Sequence, residues 1–295
     1  MNRTLAGVML TLLGGAAALL APSARAANIG YFDMCGYNQP AHAAAITAAG
    51  HTPVAISTPN AAALAGLAGL SITNCSNGGF SSLYTSNQAA ITSAVNSGMV
   101  LIIHDRAVTN ANTILPGGSG LVPVRNPAAD INLPAGSPVA SGPGGVLNNS
   151  SLDGGTSSDH GYVTTASLPA GGAVWATTAS PSEGVTVRYP YGAGSVVYST
   201  IPLDYYLGGS GPNPPRDNFV NVYLPNLLAA AVQATTCASS GYTGTQLEWC
   251  KNICERGYTG ATLEMWIRRW LNRWRELPYC ARPGGGDGEP VPTLR

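Results

Sequence analysis

From residue 28 to about residue 106, apolar positions fall in short runs separated by helical spacings. Ile29-Gly30-Tyr31-Phe32, Val54-Ala55-Ile56, Leu70-Ser71-Ile72-Thr73 and Val100-Leu101-Ile102-Ile103 have the length and composition of buried strands. Between them, Gln39–Ala49, Ala61–Leu67 and Gln88–Asn96 carry helix-forming patterns, with Gly50 and Gly98 as stop signals. Strand and helix alternating in this way predict an α/β fold: a mainly parallel sheet with helices on both faces.

The pattern loosens after Arg106. Residues 116–160 are dominated by Gly, Pro, Ser and Asn, and predict long loops around one short strand or turn. Order returns with strands at Ala173–Ala176, Val185–Tyr189 and Ser195–Ser199, the last two joined by a Tyr191-Gly192-Ala193-Gly194 turn. A helix over Asn218–Gln233 is expected to close the domain. Residues 237–280 then change character, with four cysteines, four of the five tryptophans and clustered arginines. Here Gly241-Tyr242-Thr243-Gly244 recurs as Gly257-Tyr258-Thr259-Gly260, each followed by Leu-Glu at Leu247-Glu248 and Leu263-Glu264. Each copy reads as a turn and a helix, with capping-box spacing from Thr245 to Glu248 in the first.

Residues 1–26 have the plan of a secretory signal peptide: Arg3, an apolar stretch from Val8 to Leu20, and Ala24-Arg25-Ala26 for cleavage. The expected organisation is therefore signal peptide 1–26, α/β domain 27–236, Cys/Trp-rich helical hairpin 237–280 and tail 281–295. Export places the chain in the periplasm or outside the cell and permits disulfides. Formal charge is zero and only 9% of residues are charged, which argues against a general polyanion binder and a charge-rich disordered chain. No apolar run long enough to span a bilayer follows the N-terminal segment.

The order of elements resembles the class I glutamine amidotransferase-like superfamily, of flavodoxin-like architecture, over about residues 28–233. The resemblance is carried by Asn77-Gly78-Gly79 after the third strand, by Gly98-Met99-Val100-Leu101-Ile102-Ile103, and by Tyr191-Gly192-Ala193-Gly194-Ser195-Val196-Val197-Tyr198 leading to Ile201-Pro202-Leu203-Asp204. The closing strands are similar to those of non-amidotransferase relatives, the trehalose-utilisation-type domains and the β-galactosidase trimerisation domain. The family's catalytic groups do not carry over. Asp105 stands near the nucleophile position without flanking glycines for an elbow, and Ile201 and Leu203 stand where the His and Glu would fall. Glutaminase activity is not expected. What the resemblance implies is a secreted, non-catalytic binding or interaction protein.

The alternative is a secreted carbohydrate or cell-wall hydrolase. Ligands of a parallel α/β sheet gather at the carboxyl ends of its strands. Asp33 follows the first strand, His104 and Asp105 the central one and Asp204 the closing one, with Asp159 and His160 supplied by the long loop. Asp33, His104, Asp105 and Asp204 are the candidate catalytic residues, and Asp33, His104, Asp105, Asp159 and His160 are the candidate ligands of a divalent cation; no other cofactor is expected. A purely structural role is the competing expectation: Asp105 pairs with Arg106 or caps the next helix, and Ser157-Ser158-Asp159-His160 is a solvated turn. His42 and His51 are expected at the surface or in loops. No G-x-S-x-G motif surrounds any serine.

In a flavodoxin-like sheet the first and third strands are neighbours, so Cys35 and Cys75 suit a disulfide worth roughly 4 kcal/mol on the chain-entropy view; a reactive Cys35 is the competing reading. Cys250 and Cys254 share one helical face, so each is expected to bond outward, to Cys237 and Cys280 in either order, with a four-thiolate zinc site as the alternative. On the second helix Trp266, Trp270 and Trp274 recur every four residues, flanked by Arg268, Arg269, Arg273 and Arg275. They form either a small core or a surface for a cell-envelope glycan or protein partner. Nucleic acid is not expected as a partner.

Overall fold

The computed structural model describes residues 26–36, 39–155, 157–232, 237, 242–254, 256, 258–278 and 281. The signal-peptide reading therefore lies outside the described residues, except for Ala26, as do Cys280, Gly241, Gly257 and all of the expected tail but Ala281. Among the described residues there are eleven strands: β1 (Asn28–Asp33), β2 (Thr52–Ala55), β3 (Gly69–Asn74), β4 (Val100–Asp105), β5 (Pro123–Ala128), β6 (Ser141–Gly142), β7 (Gly145–Val146), β8 (Asp159–Thr164), β9 (Ala173–Thr177), β10 (Glu183–Tyr191) and β11 (Gly194–Ser199). Nine of them form one sheet in the order β2-β1-β3-β4-β11-β10-β8-β5, with β9 also paired to β10. The pairings from β2 through to β11 are parallel. Those of β10 with β11, β8 and β9, and of β5 with β8, are antiparallel.

The expected mainly parallel α/β sheet is thus present, extended by an antiparallel half that a flavodoxin-like arrangement does not include. The expectation of long loops around one short strand or turn over 116–160 is corrected by the structure. β5, a β6–β7 hairpin and the start of β8 all fall there. β5 reads Pro-Val-Arg-Asn-Pro-Ala, and its two prolines hide the period-2 signal; it sits at the sheet edge, where missing N–H donors are tolerated.

Side-chain alternation sorts the strands into two cores. Ile29, Ile102 and Val197 face the helices Gln39–Ala48 and Leu224–Ala231. Phe32, Leu70, Ile72, Leu101, Ile103, Val196 and Tyr198 face the other way, toward Leu64, Ile91 and Val95 of the helices Ala61–Leu64 and Gln88–Asn96. Helices on both faces follow directly from strands apolar on both sides. The closing helical stretch has a π-helical turn at Phe219–Tyr223 between Pro215–Asn218 and Leu224–Ala231.

The terminal module has its own small core of Cys237, Cys250, Ile253, Ile267, Trp270 and Ala281, between the helices Gly244–Cys254 and Gly260–Leu271. The repeat has a backbone cause: Gly244 and Gly260, equivalent in the two copies, open these helices at φ +52° and +55°. A side chain would find space there, so it is the left-handed backbone that calls for glycine. The capping-box expectation is not met in the side chain, since Glu248 instead accepts from Lys251 (3.0 Å) and Arg256 (3.2 Å). Cys237 is disulfide-bonded to Cys250 across a Cα separation of 5.7 Å, and Cys35 to Cys75 across 6.2 Å. Cys254 is also oxidised.

Candidate functional site at the strand ends

Register places the sequence-predicted groups in two sets rather than one. Asp33 pairs with Thr73, Thr73 with His104, His104 with Ser199 and Ser199 with Thr186, so five adjacent strands put polar residues in one row at the carboxyl end of one face. Asp105 is the next residue along β4 and therefore points to the opposite face. Its expected convergence with Asp33 and His104 is corrected on that ground. Asp105 Oδ1 accepts from Asn74 Nδ2 (2.9 Å) and Ala107 N (2.8 Å), and Oδ2 accepts from Tyr198 Oη (2.8 Å) and Val108 N (3.1 Å). Burial pushes its carboxyl above the ordinary value, against the pull of these four donors. It is a fastener for the turn after β4, and neither structural role expected for it is present: Arg106 pairs with Asp204, and the next helix, Ala111–Ile114, begins beyond the Ala107 and Val108 amides that Asp105 holds.

His104 is buried, and neither ring nitrogen has a hydrogen-bond partner among the described residues. Burial, and then the neighbouring His42, lower its pKa to about 3, so it is neutral and does not serve as a proton donor near neutrality. His42 and His51 are also buried, which corrects their expected surface positions. His42 lies on the sheet-facing side of its helix, its Nε2 2.7 Å from Ser71 Oγ. Beside this row, Thr186, Ser199 and Tyr223 exchange hydroxyl bonds of 3.0, 2.8 and 3.2 Å.

The turn after β4 carries the only positive-φ non-glycine among the described residues: Val108, at φ +55°. A β-branched residue held in the left-handed region is strained, and such strain persists only where its surroundings over-determine it. Here the two Asp105 bonds pull the turn tight, while Arg125 Nη1 holds it from outside by donating to the carbonyls of Arg106 (2.6 Å) and Ala107 (2.9 Å). The turn sends the Arg106 guanidinium along the sheet edge to Asp204 Oδ2 at 3.1 Å and over the Tyr205 ring at 5.7 Å. Arg106, Arg125 and Tyr205 were not singled out from sequence; a charged pair following the central strand was the available signal.

Asp204 lies in the first turn of the short helix Leu203–Leu207. Burial raises its pKa to about 6; Arg106 and a backbone N–H pull it down, and the charge of Asp33 adds to the rise. Asp33 and Asp204 therefore sense one another at this edge. Asp33 Oδ1 accepts from Cys35 N (2.8 Å), next to the Cys35–Cys75 bridge that ties the ends of β1 and β3 together.

Asp159 and His160 open β8, which corrects their reading as a solvated turn. Asp159 is fully buried, and burial raises its pKa to about 7, assisted by Glu183 and Asp130 and opposed by backbone N–H donors such as Gly161 (2.9 Å). His160 Nδ1 donates to the Arg106 carbonyl at 2.9 Å, and burial is the main cause of its lowered pKa. Gly161 sits at φ +145°, where a side chain would run into the Val124 carbonyl, so glycine lets β8 lie this close to β5. Asp33 with Asp204 and Arg106, and His160 behind the Arg106 backbone, are brought to one edge; His104 lies beneath it and Asp105 on the far side.

A group of three cysteines able to hold a metal ion occurs among the described residues in the terminal module, where the sulfurs of Cys237, Cys250 and Cys254 lie within 4.8 Å of one another. Of the tryptophans expected to meet a partner, Trp270 is buried, its Nε1 donating to the Glu276 carbonyl at 2.5 Å. Trp266 and Trp274 are half-buried, with Arg268, Arg269 and Arg273 exposed beside them.

No family model matches the chain. No curated protein matches it. Solved structures do. An exo-β-1,4-mannosidase from Opitutaceae bacterium strain TAV5 is 13% identical, with a TM-score of 0.42, over 70% of this chain and 36% of that one. A cold-adapted β-galactosidase from Rahnella sp. R3 is 11% identical, with a TM-score of 0.40, over 72% and 32%. A cytoplasmic protein from Salmonella typhimurium is 11% identical, with a TM-score of 0.44, over 70% and 98%. The chain thus spans about a third of the two glycosidases it matches. None of the three is described as an amidotransferase, and the expected membership of that superfamily is withdrawn on this finding. The flavodoxin-like and non-catalytic descriptions and the expectation that the chain is no enzyme are withdrawn with it; two of the matched proteins are named as a mannosidase and a galactosidase.

Proposed function

We propose that this chain is an exported hydrolase of carbohydrate, with a cell-envelope glycan as its substrate class, Asp204 as proton donor and Asp33 as the second carboxylate. The observation that carries the reading is a withdrawn carboxyl with a raised pKa beside a second carboxylate. Asp204 is held at a pKa of about 6, in reach of the charge of Asp33 and 3.1 Å from Arg106. Glycosidic bonds are broken by two such groups, one protonated and one ionised, flanking the scissile bond. Asp204 gives its proton to the leaving-group oxygen as the C–O bond breaks. Asp33 then either attacks the anomeric carbon or takes a proton from the attacking water. Arg106 keeps the Asp204 carboxyl oriented, with the half-buried Tyr205 ring beside the guanidinium. On this proposal residues 1–26 are removed on export, 27–236 form the hydrolase domain, and 237–280 a stapled appendix before the tail.

The test is release of reducing ends from cell-envelope polysaccharides and of aryl alcohol from a panel of aryl glycosides, by the oxidised chain and by D33N and D204N. Hydrolysis by the wild type, lost in both variants, supports the reading. Absence of hydrolysis across the panel, or activity undiminished in either variant, overturns it.

A further inference from the structure

The geometry points to a second state of the terminal module: once its disulfides are reduced, Cys237, Cys250 and Cys254 bind one Zn²⁺ as thiolates. This stands apart from the hydrolase reading, since no residue of the strand-end edge takes part. Cys250 and Cys254 are four residues apart on the helix Gly244–Cys254, and their sulfurs lie 3.9 Å from one another. A tetrahedral zinc with bonds of about 2.3 Å sets its sulfurs about 3.8 Å apart, so the helix already presents one edge of that tetrahedron. Cys237, whose sulfur is bonded to that of Cys250 in the oxidised chain and lies within 4.8 Å of that of Cys254, supplies the third corner once reduced. Cys237 and Cys250 are fully buried and Cys254 half-buried, so the cluster is dry on one side and open on the other. Ile253, Ile267 and Trp270 pack in the same core and shield it from water.

The chemistry balances with a dithiol as reductant. The dithiol gives two electrons and two protons to each protein disulfide, becomes a disulfide itself, and leaves two cysteine thiols. Zn²⁺ then displaces one proton from each thiol that ligates it. The oxidised and metal-bound forms are thus alternative ways of closing the same core.

The test uses the full chain, reduced with a dithiol that is removed under anaerobic conditions before Co²⁺ or Zn²⁺ is titrated. The expected result is one metal per chain, with the thiolate-to-cobalt charge-transfer and tetrahedral ligand-field bands, proton release, a gain of helicity and displacement of Co²⁺ by Zn²⁺. The oxidised chain is expected to show none of these. C250S and C254S should each weaken binding by more than about 100-fold, beyond what loss of an outer-shell group costs. A chain carrying both C35S and C75S, altered only at the sheet, should bind as the wild type does. The wild-type bands require no substitution, so a variant that fails to fold does not blur the result. Absence of thiolate bands in the reduced wild type, equal binding by the oxidised chain, or wild-type affinity in C254S overturns the proposal.

Discussion

At the carboxyl end of the parallel strands, Asp105 on one face and Asp204 beside the other are both acids withdrawn from water, yet they are held in opposite ways. Asp105 is enclosed and each oxygen accepts two donors, all neutral, from Asn74, Ala107, Val108 and Tyr198. Both oxygens are filled, so its work is to fasten a turn. Asp204 is tied by one oxygen to Arg106, which is itself partly open to solvent, and it shares its surroundings with Asp33. Burial lifts both carboxyls above the ordinary value, so a raised pKa by itself does not mark chemistry. What separates them is their company: neutral donors fill both oxygens of Asp105, whereas a guanidinium and a second carboxylate stand by Asp204. The strained turn at Val108 serves both, since the bonds that saturate Asp105 aim Arg106 at Asp204.

If this contrast is correct, substitutions on the two sides should fail in different ways. The largest effect belongs to the edge: D204N and D33N should each cut hydrolysis by about 10³-fold with little change in unfolding midpoint, the scale of a lost acid or base. On the far side, D105A should cost on the order of 4 kcal/mol in denaturant unfolding, because donors buried with it lose their acceptor. Similar stability losses in D204N and D105A would erase the distinction.

A smaller effect comes from Asp159, whose folded pKa of about 7 lies above the ordinary 3.8. The folded chain therefore holds a proton that the unfolded chain has released, and stability falls as pH rises from near 4 to near 7, then levels. D159N imitates the protonated acid and should flatten this slope, with a gain on the order of 2 kcal/mol at neutral pH, read from melting curves across that range. The smallest effect sharpens the account of Asp204. Its positive neighbour holds its pKa down, so R106Q should move the alkaline limb of the rate profile upward by about one pH unit. A downward shift would show that Arg106 does not act on Asp204 as described.

The parallel half of the sheet was legible because Ile29–Phe32, Leu70–Thr73 and Val100–Ile103 are apolar runs between helical spacings. The antiparallel half was only partly so: β10 and β11 could be read, whereas the prolines of β5 and the polar opening of β8 mask strands stabilised by pairing rather than apolar content. For the site, strand ends pointed to Asp33, His104, Asp105 and Asp204, but counting along β4 did not separate His104 and Asp105 by face. The Arg106–Asp204 pair joins residues almost a hundred positions apart, and only the register of β4 beside β11 brings them together. The cysteine spacing restricted the module to a few pairings; the close approach of Cys250 and Cys254 sulfurs needed the folded helix.

The most direct test of the central claim is the pH dependence of glycan hydrolysis by the oxidised wild-type chain, measured beside D204N on the substrate it cleaves best. The account predicts activity that falls above about pH 6 as Asp204 loses its proton, with the alkaline limb abolished in D204N along with nearly all activity. Hydrolysis that persists in D204N with the same alkaline limb would contradict it, and would move the proton donor away from the Arg106–Asp204 edge.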